Sequence, residues 1–310
     1  MTGGRARTVF IGSGGFGRPS LRRLAAHDDI ELVGVVTAPP RPAGRHGRPT
    51  STTIHDAAVE SAVPVIQTPE RLRAPEAIEA LLALRPDLIV LADYGQIVPA
   101  ALLDVGRGAL NLHPSLLPRH RGAAPIPAAI LAGDTETGVT LMRMDDGLDS
   151  GPVVARTVVP LIAGETAPDL EARLAEVAAD LLGERVGPWL HGEIEARPQP
   201  AEGVTMTRPL RREDGRLDVS RSAAELERQV RAYQPWPGAF MDTPLGRLIV
   251  WSAKPSAGGP AIGTFDSDGI GTGDGGRLRL LEVQPAGGKR MSWDAYVRGR
   301  PAIIGASIVG

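Results

Sequence analysis

Asn111 and His113 stand two residues apart at the end of a short apolar run, Ala109-Leu110-Asn111-Leu112-His113, and Pro114 closes it. Residues two apart on a strand share a face, so an amide and an imidazole can be aimed at one point. A second stretch, Asp145-Asp146-Gly147-Leu148-Asp149-Ser150-Gly151-Pro152, places three carboxylates in a loop broken by glycine. Where the two stretches meet, an amide, an imidazole and a carboxylate converge. This set suits attack of an amine from one substrate on a carbonyl carried by another. Charge then develops on the carbonyl oxygen, and the Asn111 amide and a protonated His113 can donate to it. Asp149 favours the imidazolium by charge pairing and can take the proton that the adding amine releases.

Other chemistries fit less well. Ser115 lies near His113, but the chain has no Gly-x-Ser-x-Gly turn to expose a nucleophilic serine, and Pro114 and Pro118 flank the segment. There is no cysteine, which removes thiolate catalysis and disulfides. His120 is seven residues beyond His113 on an irregular loop, and no metal is expected. The run Gly12-Ser13-Gly14-Gly15-Phe16-Gly17 matches a dinucleotide fingerprint literally, after a strand at Thr8–Ile11 and before a helix at Pro19–Ala26. The next strand, Glu31–Val36, nevertheless ends in Thr37-Ala38-Pro39-Pro40, with no acid to accept from a ribose hydroxyl. The glycines are therefore read as a tight strand-to-helix turn.

The elements that must hold these residues alternate. Continuous apolar runs at Asp87–Ala92 and Gly108–His113 read as strands buried on both faces. Helical spacing appears at Ile54–Ser61, Pro69–Leu84, Val98–Leu103, Pro125–Ala132 and Ala167–Gly183, and further strands are expected at Pro64–Ile66, Gly138–Met144 and Val153–Val159. This predicts an α/β domain built on a doubly wound, mostly parallel sheet over residues 1–189, with Asn111 and His113 at a strand's carboxyl end, where such sheets bind ligands. Residues 38–53 form a long irregular segment with Arg41, Arg45, His46 and Arg48, a pattern suited to phosphates or bases. A linker is expected at 190–205. Beyond it, over 206–310, a helix at Ser222–Tyr233 and short strands at Leu248–Ser252, Gly263–Ser267 and Leu278–Val283 predict a small β-barrel.

Composition sets the remaining bounds. With 310 residues, 42% hydrophobic and 23% charged, the chain reads as an ordinary globular protein of two domains. No apolar run nears the roughly 18–20 residues that span a bilayer, so no membrane partner and a cytoplasmic location are expected. From Met206 onward there are 15 Lys and Arg against 11 Asp and Glu, and before it 19 against 25, so a polyanionic partner would favour the C-terminal part.

Several motifs together resemble the folate-dependent formyltransferases: Arg41-Pro42-Ala43-Gly44-Arg45, Asp93-Tyr94-Gly95, Asn111 to Pro118, Arg121 to Ile126, Gly147 to Gly151 and Gln234-Pro235-Trp236-Pro237, in order and over nearly the whole chain. The resemblance implies 10-formyltetrahydrofolate as donor, and a C-terminal barrel of the oligonucleotide-binding type. It implies that Asn111, His113 and Asp149 are catalytic and that Ser115, Leu116, Leu117, Pro118 and Tyr94 contact folate. Arg41, Arg45, Arg48 and Phe16 would then face the acceptor end of an initiator methionyl-tRNA, with the protein acting as a monomer. An amino-sugar nucleotide is the alternative acceptor. Two departures bear on acceptor contact. Ser13-Gly14-Gly15-Phe16 stands where the family has Thr-Pro-Asp-Phe, and His46, Arg48 and Pro49 replace lysines in the basic loop.

Overall fold

A computed structural model of the chain describes residues 4–43 and 48–308. The first strand, β1 (Ala6–Gly12), passes through the glycine turn into α1 (Arg18–Ala25), and β2 (Ile30–Val36) follows. Next come a short ribbon, β3 (Arg41–Ala43) with β4 (Arg48–Thr50), then α2 (Thr53–Glu60), β5 (Val65–Gln67), α3 (Pro75–Ala83), β6 (Leu88–Ala92), α4 (Ala100–Leu103) and β7 (Ala109–His113). The order continues with β8 (Arg121–Gly122), α5 (Pro125–Ala132), β9 (Glu136–Arg143), β10 (Val153–Pro160), α6 (Ala167–His191) and β11 (Met206–Thr207).

Seven of these strands form one sheet in the order β10-β9-β7-β6-β1-β2-β5. The run from β7 to β5 is parallel, and β9 lies antiparallel between β7 and β10. From the central β1 the chain winds to β2 and β5 on one side, then returns to β6 and β7 on the other. The crevice beyond the carboxyl ends of β1 and β6 is thus the topological switch point, where open α/β sheets bind ligands. All five residues of β6 and all five of β7 are buried, as a sheet covered on both faces requires. Each large apolar side chain buried this way contributes about 1.5–3 kcal/mol. Val9, Ile11, Ile89 and Leu91 share one such core with Leu72, Leu81 and Leu102.

The chain divides into two compact units. The first holds residues up to Pro125, Glu136–Pro160 and Glu171–Thr207; the second holds Ile126–Thr135, Leu161–Leu170 and the described chain from Arg208. In the second unit, α7 (Ala223–Ala232) precedes β12 (Ala239–Thr243), β13 (Gly246–Ser256), β14 (Gly269–Gly271), β15 (Arg277–Pro285), β16 (Met291–Ser292) and α8 (Trp293–Gly299). Its strands make a five-stranded antiparallel sheet, β12-β13-β15-β14 with β16 on β15, bent by register shifts in β13 into a half-barrel. Trp293 stacks between Phe265 and Tyr296, at 5.9 and 5.5 Å between ring centroids, in the centre of that core.

Some elements depart from their sequence expectation. The helix expected from Pro69 begins only at Pro75, because the residue before a proline is pushed out of the helical region, and Ala74 is extended at ψ 132°. The Gln96 side chain instead accepts from Leu72 N at 2.7 Å, bracing the non-helical turn. The strand expected at Gly263–Ser267 is reduced to isolated bridges at Thr264 and Phe265, and β14 forms six residues later. The arginine-bearing segment is not wholly irregular, since β3 and β4 pair antiparallel around residues 44–47, which lie outside the described part.

Candidate active site

β7 delivers Asn111 and His113 to the same face, next to the switch point, and both are buried, at 6% and 4% exposure. Beyond β9 the chain turns sharply. Gly147 N and Ser150 Oγ both donate to Asp145 Oδ1, and Gly151 is pressed so close to the main chain that a Cβ there would sit 1.9 Å from Arg143 O. The loop so formed brings Asp149 back over β7 with its backbone in the left-handed region, φ +50°. Asn111 Nδ2 lies 3.5 Å from Asp149 Oδ1, and His113 Nδ1 lies 3.7 Å from Asp149 Oδ2. The structure therefore brings together the three residues that spacing singled out.

The other imidazole nitrogen is committed. His113 Nε2 is 2.9 Å from His120 O, and since a carbonyl only accepts, Nε2 carries the hydrogen. A neutral His113 then turns its Nδ1 lone pair towards the Asp149 carboxylate. Burial pulls the His113 pKa below its ordinary value, and the Asp149 charge counters only part of this. This enclosure favours the neutral imidazole over the imidazolium in the resting protein. Two acceptors facing each other across 3.7 Å are a seat for one proton, waiting for a substrate to supply it.

Asp149 is held from several sides. Its Oδ2 accepts from Gly122 N at 2.7 Å, while its carbonyl and that of Gly151 each accept from Gln199 Nε2 at 2.8 Å. Gln199 Oε1 in turn accepts from Arg121 Nε and Nη2, at 3.1 and 2.7 Å. Neither Gly122 nor Gln199 was singled out from sequence. Their contribution passes through main-chain atoms, which leave no residue-type signal.

The remaining expected residues fall into three groups. Of Ser115, Leu116, Leu117 and Pro118, only Leu116 is partly exposed. Ser115 Oγ donates to Arg119 O at 2.6 Å, and Leu117 N donates to Thr140 Oγ1 at 3.1 Å, so these residues shape the loop. Tyr94 packs on the apolar core with its hydroxyl buried and without a hydrogen-bond partner among the described residues, and burial pushes its pKa up to about 12. Phe16 is buried on the turn after β1; Arg41 is exposed on β3; Arg48 lies on β4, and Arg45 falls outside the described residues.

Asp93, which the sequence marked only as part of the Asp93-Tyr94-Gly95 motif, also stands in this crevice. It follows β6, with its carbonyl accepting from Ser13 N at 2.9 Å, and its carboxyl stands over Gly14, where a Cβ would lie 1.6 Å from Oδ2. Asp93 remains open to solvent, yet the protein packed around it raises its carboxyl above the ordinary value, and its charge helps to raise that of Glu171. Ser13-Gly14-Gly15 is thus a turn with a carboxylate laid across it from the neighbouring strand.

Residues 6–186 match the family model described as formyl transferase, and residues 209–301 match that of the formyl transferase C-terminal domain, so the chain belongs to the formyl transferases. It is 44% identical over 310 residues to the methionyl-tRNA formyltransferase of Halorhodospira halophila, covering 98% of this chain and 99% of that one. It is 41% identical to the methionyl-tRNA formyltransferase of Myxococcus xanthus, covering 97% of each. Among solved structures, an N-formyltransferase from Helicobacter canadensis, in complex with folinic acid and dTDP-3-aminofucose, superposes with a TM-score of 0.65 at 16% identity, over 89% of this chain and 98% of that one. HypX from Aquifex aeolicus, in complex with tetrahydrofolic acid, gives 0.62 at 19% identity over 94% of this chain and 47% of that one. At such identities the structural likeness establishes the fold. No helix among the described residues is long and apolar enough to cross a membrane.

Proposed function

We propose that the chain transfers the formyl group of 10-formyltetrahydrofolate to the α-amine of methionyl initiator tRNA. The observation that carries this reading is full-length identity above 40% to curated methionyl-tRNA formyltransferases, in a chain whose Asn111, His113 and Asp149 converge on one spot. The folate ligands of the distant structural neighbours support a folate-derived donor.

The geometry suggests the order of events. The neutral amine attacks the formyl carbon, and the carbonyl oxygen takes up charge that the Asn111 amide stabilises. The amine proton passes to the seat between His113 Nδ1 and Asp149 Oδ2, directly or through water. His113, now an imidazolium paired with Asp149, adds positive charge beside the developing oxyanion. As the carbon–nitrogen bond to the carrier breaks, this proton returns to the departing folate nitrogen, which leaves as tetrahydrofolate. No side-chain nucleophile is needed, and the protein ends in its starting protonation state.

For the acceptor, the exposed Arg41, with Arg45 and Arg48, would contact phosphates near the acceptor end, with Phe16 close to the methionyl group. The excess of basic residues beyond Met206 would favour the tRNA body. The protein is taken to act as a cytoplasmic monomer, which sedimentation of the purified chain would check for mass. The amino-sugar nucleotide reading survives only through shared fold. Supplying formyl-labelled donor with charged initiator tRNA in one arm and an amino-sugar nucleotide in the other separates them: label on the tRNA is expected, and label on the sugar alone overturns the proposal.

A further inference from the structure

The segment from Glu193 to Thr207 follows α6 and lies beyond the matched formyl transferase domain and before the matched C-terminal domain. It contributes almost nothing apolar to a core, since Val204 and Met206 are exposed, as are Pro198, Pro200 and Ala201. The residues it turns inward are polar. Gln199 has two amide hydrogens and one oxygen with two lone pairs, and all four are used, towards Asp149 O, Gly151 O and the Arg121 guanidinium. Thr205 Oγ1 accepts from His120 N at 2.7 Å, and Thr205 O accepts from Arg121 N at 2.9 Å. Thr207 Oγ1 bonds Arg121 O and Ala124 N at 2.9 and 3.0 Å.

Two main-chain sites serve the reacting groups, and both are unusual. His120, whose carbonyl orients the His113 ring, has φ +57°, and Asp149 has φ +50°. A residue other than glycine is held there at a cost and persists only when its surroundings fix it. Each is gripped by one residue of the segment, His120 by Thr205 and Asp149 by Gln199.

We infer that Gln199 and Thr205 are positioning residues for formyl transfer. Gln199 fixes the peptide that presents the Asp149 carboxylate, and Thr205 fixes the His120 carbonyl that sets the His113 tautomer and ring plane. The segment is a strap whose function is geometric, not a passive spacer.

This inference rests on the function proposed above, and the experiment keeps the two apart. The full chain and its variants Gln199→Ala, Gln199→Glu, Thr205→Val and Thr205→Ser are assayed for kcat and for KM of donor and acceptor, using whichever amine the unmodified protein formylates. Gln199→Ala and Thr205→Val are expected to lower kcat about tenfold to a hundredfold with little change in either KM, as sub-ångström to ångström misplacement of reacting groups does. Thr205→Ser, which keeps the acceptor oxygen, should recover most of the rate. In an Asp149→Asn background, Gln199→Ala should cost little more, because its effect runs through Asp149. Full kcat in both truncations, a raised KM at unchanged kcat, or full additivity with Asp149→Asn would overturn the inference. Should Thr205→Val unfold at the assay temperature, Gln199→Glu decides, since it keeps the volume and the Arg121 contact but loses both donors. An unmodified protein that formylates no amine at all would sink the proposed function instead.

Discussion

Asp149 Oδ2 takes its shortest hydrogen bond, 2.7 Å, from the main-chain N–H of Gly122. Gly122 has φ +102°, and a Cβ there would lie 2.3 Å from Thr207 O. Gly122→Ala should therefore displace the peptide that holds the carboxylate. We expect a loss of kcat of about a hundredfold, from misplacement of the reacting group, with a melting curve that remains cooperative. Activity close to that of the unmodified protein would show that this bond does not set the carboxylate's position.

The rate should depend on pH through His113. Burial holds its pKa below 6.5, and protonation fills the proton seat before the substrate amine can use it. The acid limb of kcat/KM should accordingly fall with an apparent pKa under the ordinary histidine value. Asp149→Asn removes the charge that partly raises this pKa, so the surviving activity should show its acid limb moved lower still. A limb that moves upward in Asp149→Asn would contradict the assignment.

Stability should carry the same signature. A histidine whose folded pKa lies below its unfolded value adds stability that is fully present above about pH 6.5 and is lost as pH falls through the folded value, because the unfolded chain binds the extra proton. Urea midpoints of the native protein and His113→Gln, measured from pH 8 to pH 5, should converge or cross on acidification. One such proton changes the stability difference by at most about 1.4 kcal/mol per pH unit. Parallel curves across that range would mean that His113 titrates normally.

The crowding of Gly14 by Asp93 gives a paired test. Gly14→Ala must push the Asp93 carboxylate aside, since the new Cβ would otherwise lie 1.6 Å from Oδ2. A cost of about 1–3 kcal/mol is expected for such overpacking. Asp93→Ala should cancel most of it in the double variant, read by chemical denaturation. Simple addition of the two single effects would show that the residues do not compete for that space.

Much of this architecture was legible in the chain. β6 and β7 announced themselves as unbroken apolar runs, because a parallel sheet sandwiched between helices needs both faces apolar. Asn111 and His113 were readable for the opposite reason, as polar groups at the end of such a run. The start of α3 was obscured by two prolines six residues apart, either of which can open a helix. β12 went unseen because it begins directly after Pro237-Gly238 and pairs with β13 through a tight turn at Pro244 and Leu245. Gln199, Thr205 and Gly122 were out of reach on principle. Gln199 and Thr205 bond main-chain atoms, and Gly122 bonds a carboxylate through its own N–H, across 27 to 85 residues of sequence, and no local pattern encodes such a meeting.

The grip of Gln199 on the 145–151 loop touches only carbonyl oxygens. It is therefore indifferent to what the loop's side chains are, provided that the main chain keeps its path. Substitution of Asp146 or of the exposed Leu148 removes none of the bonds by which Gln199 holds the loop. The position of the proton seat is thus set by the path of the main chain and not by the exposed side chains that line it.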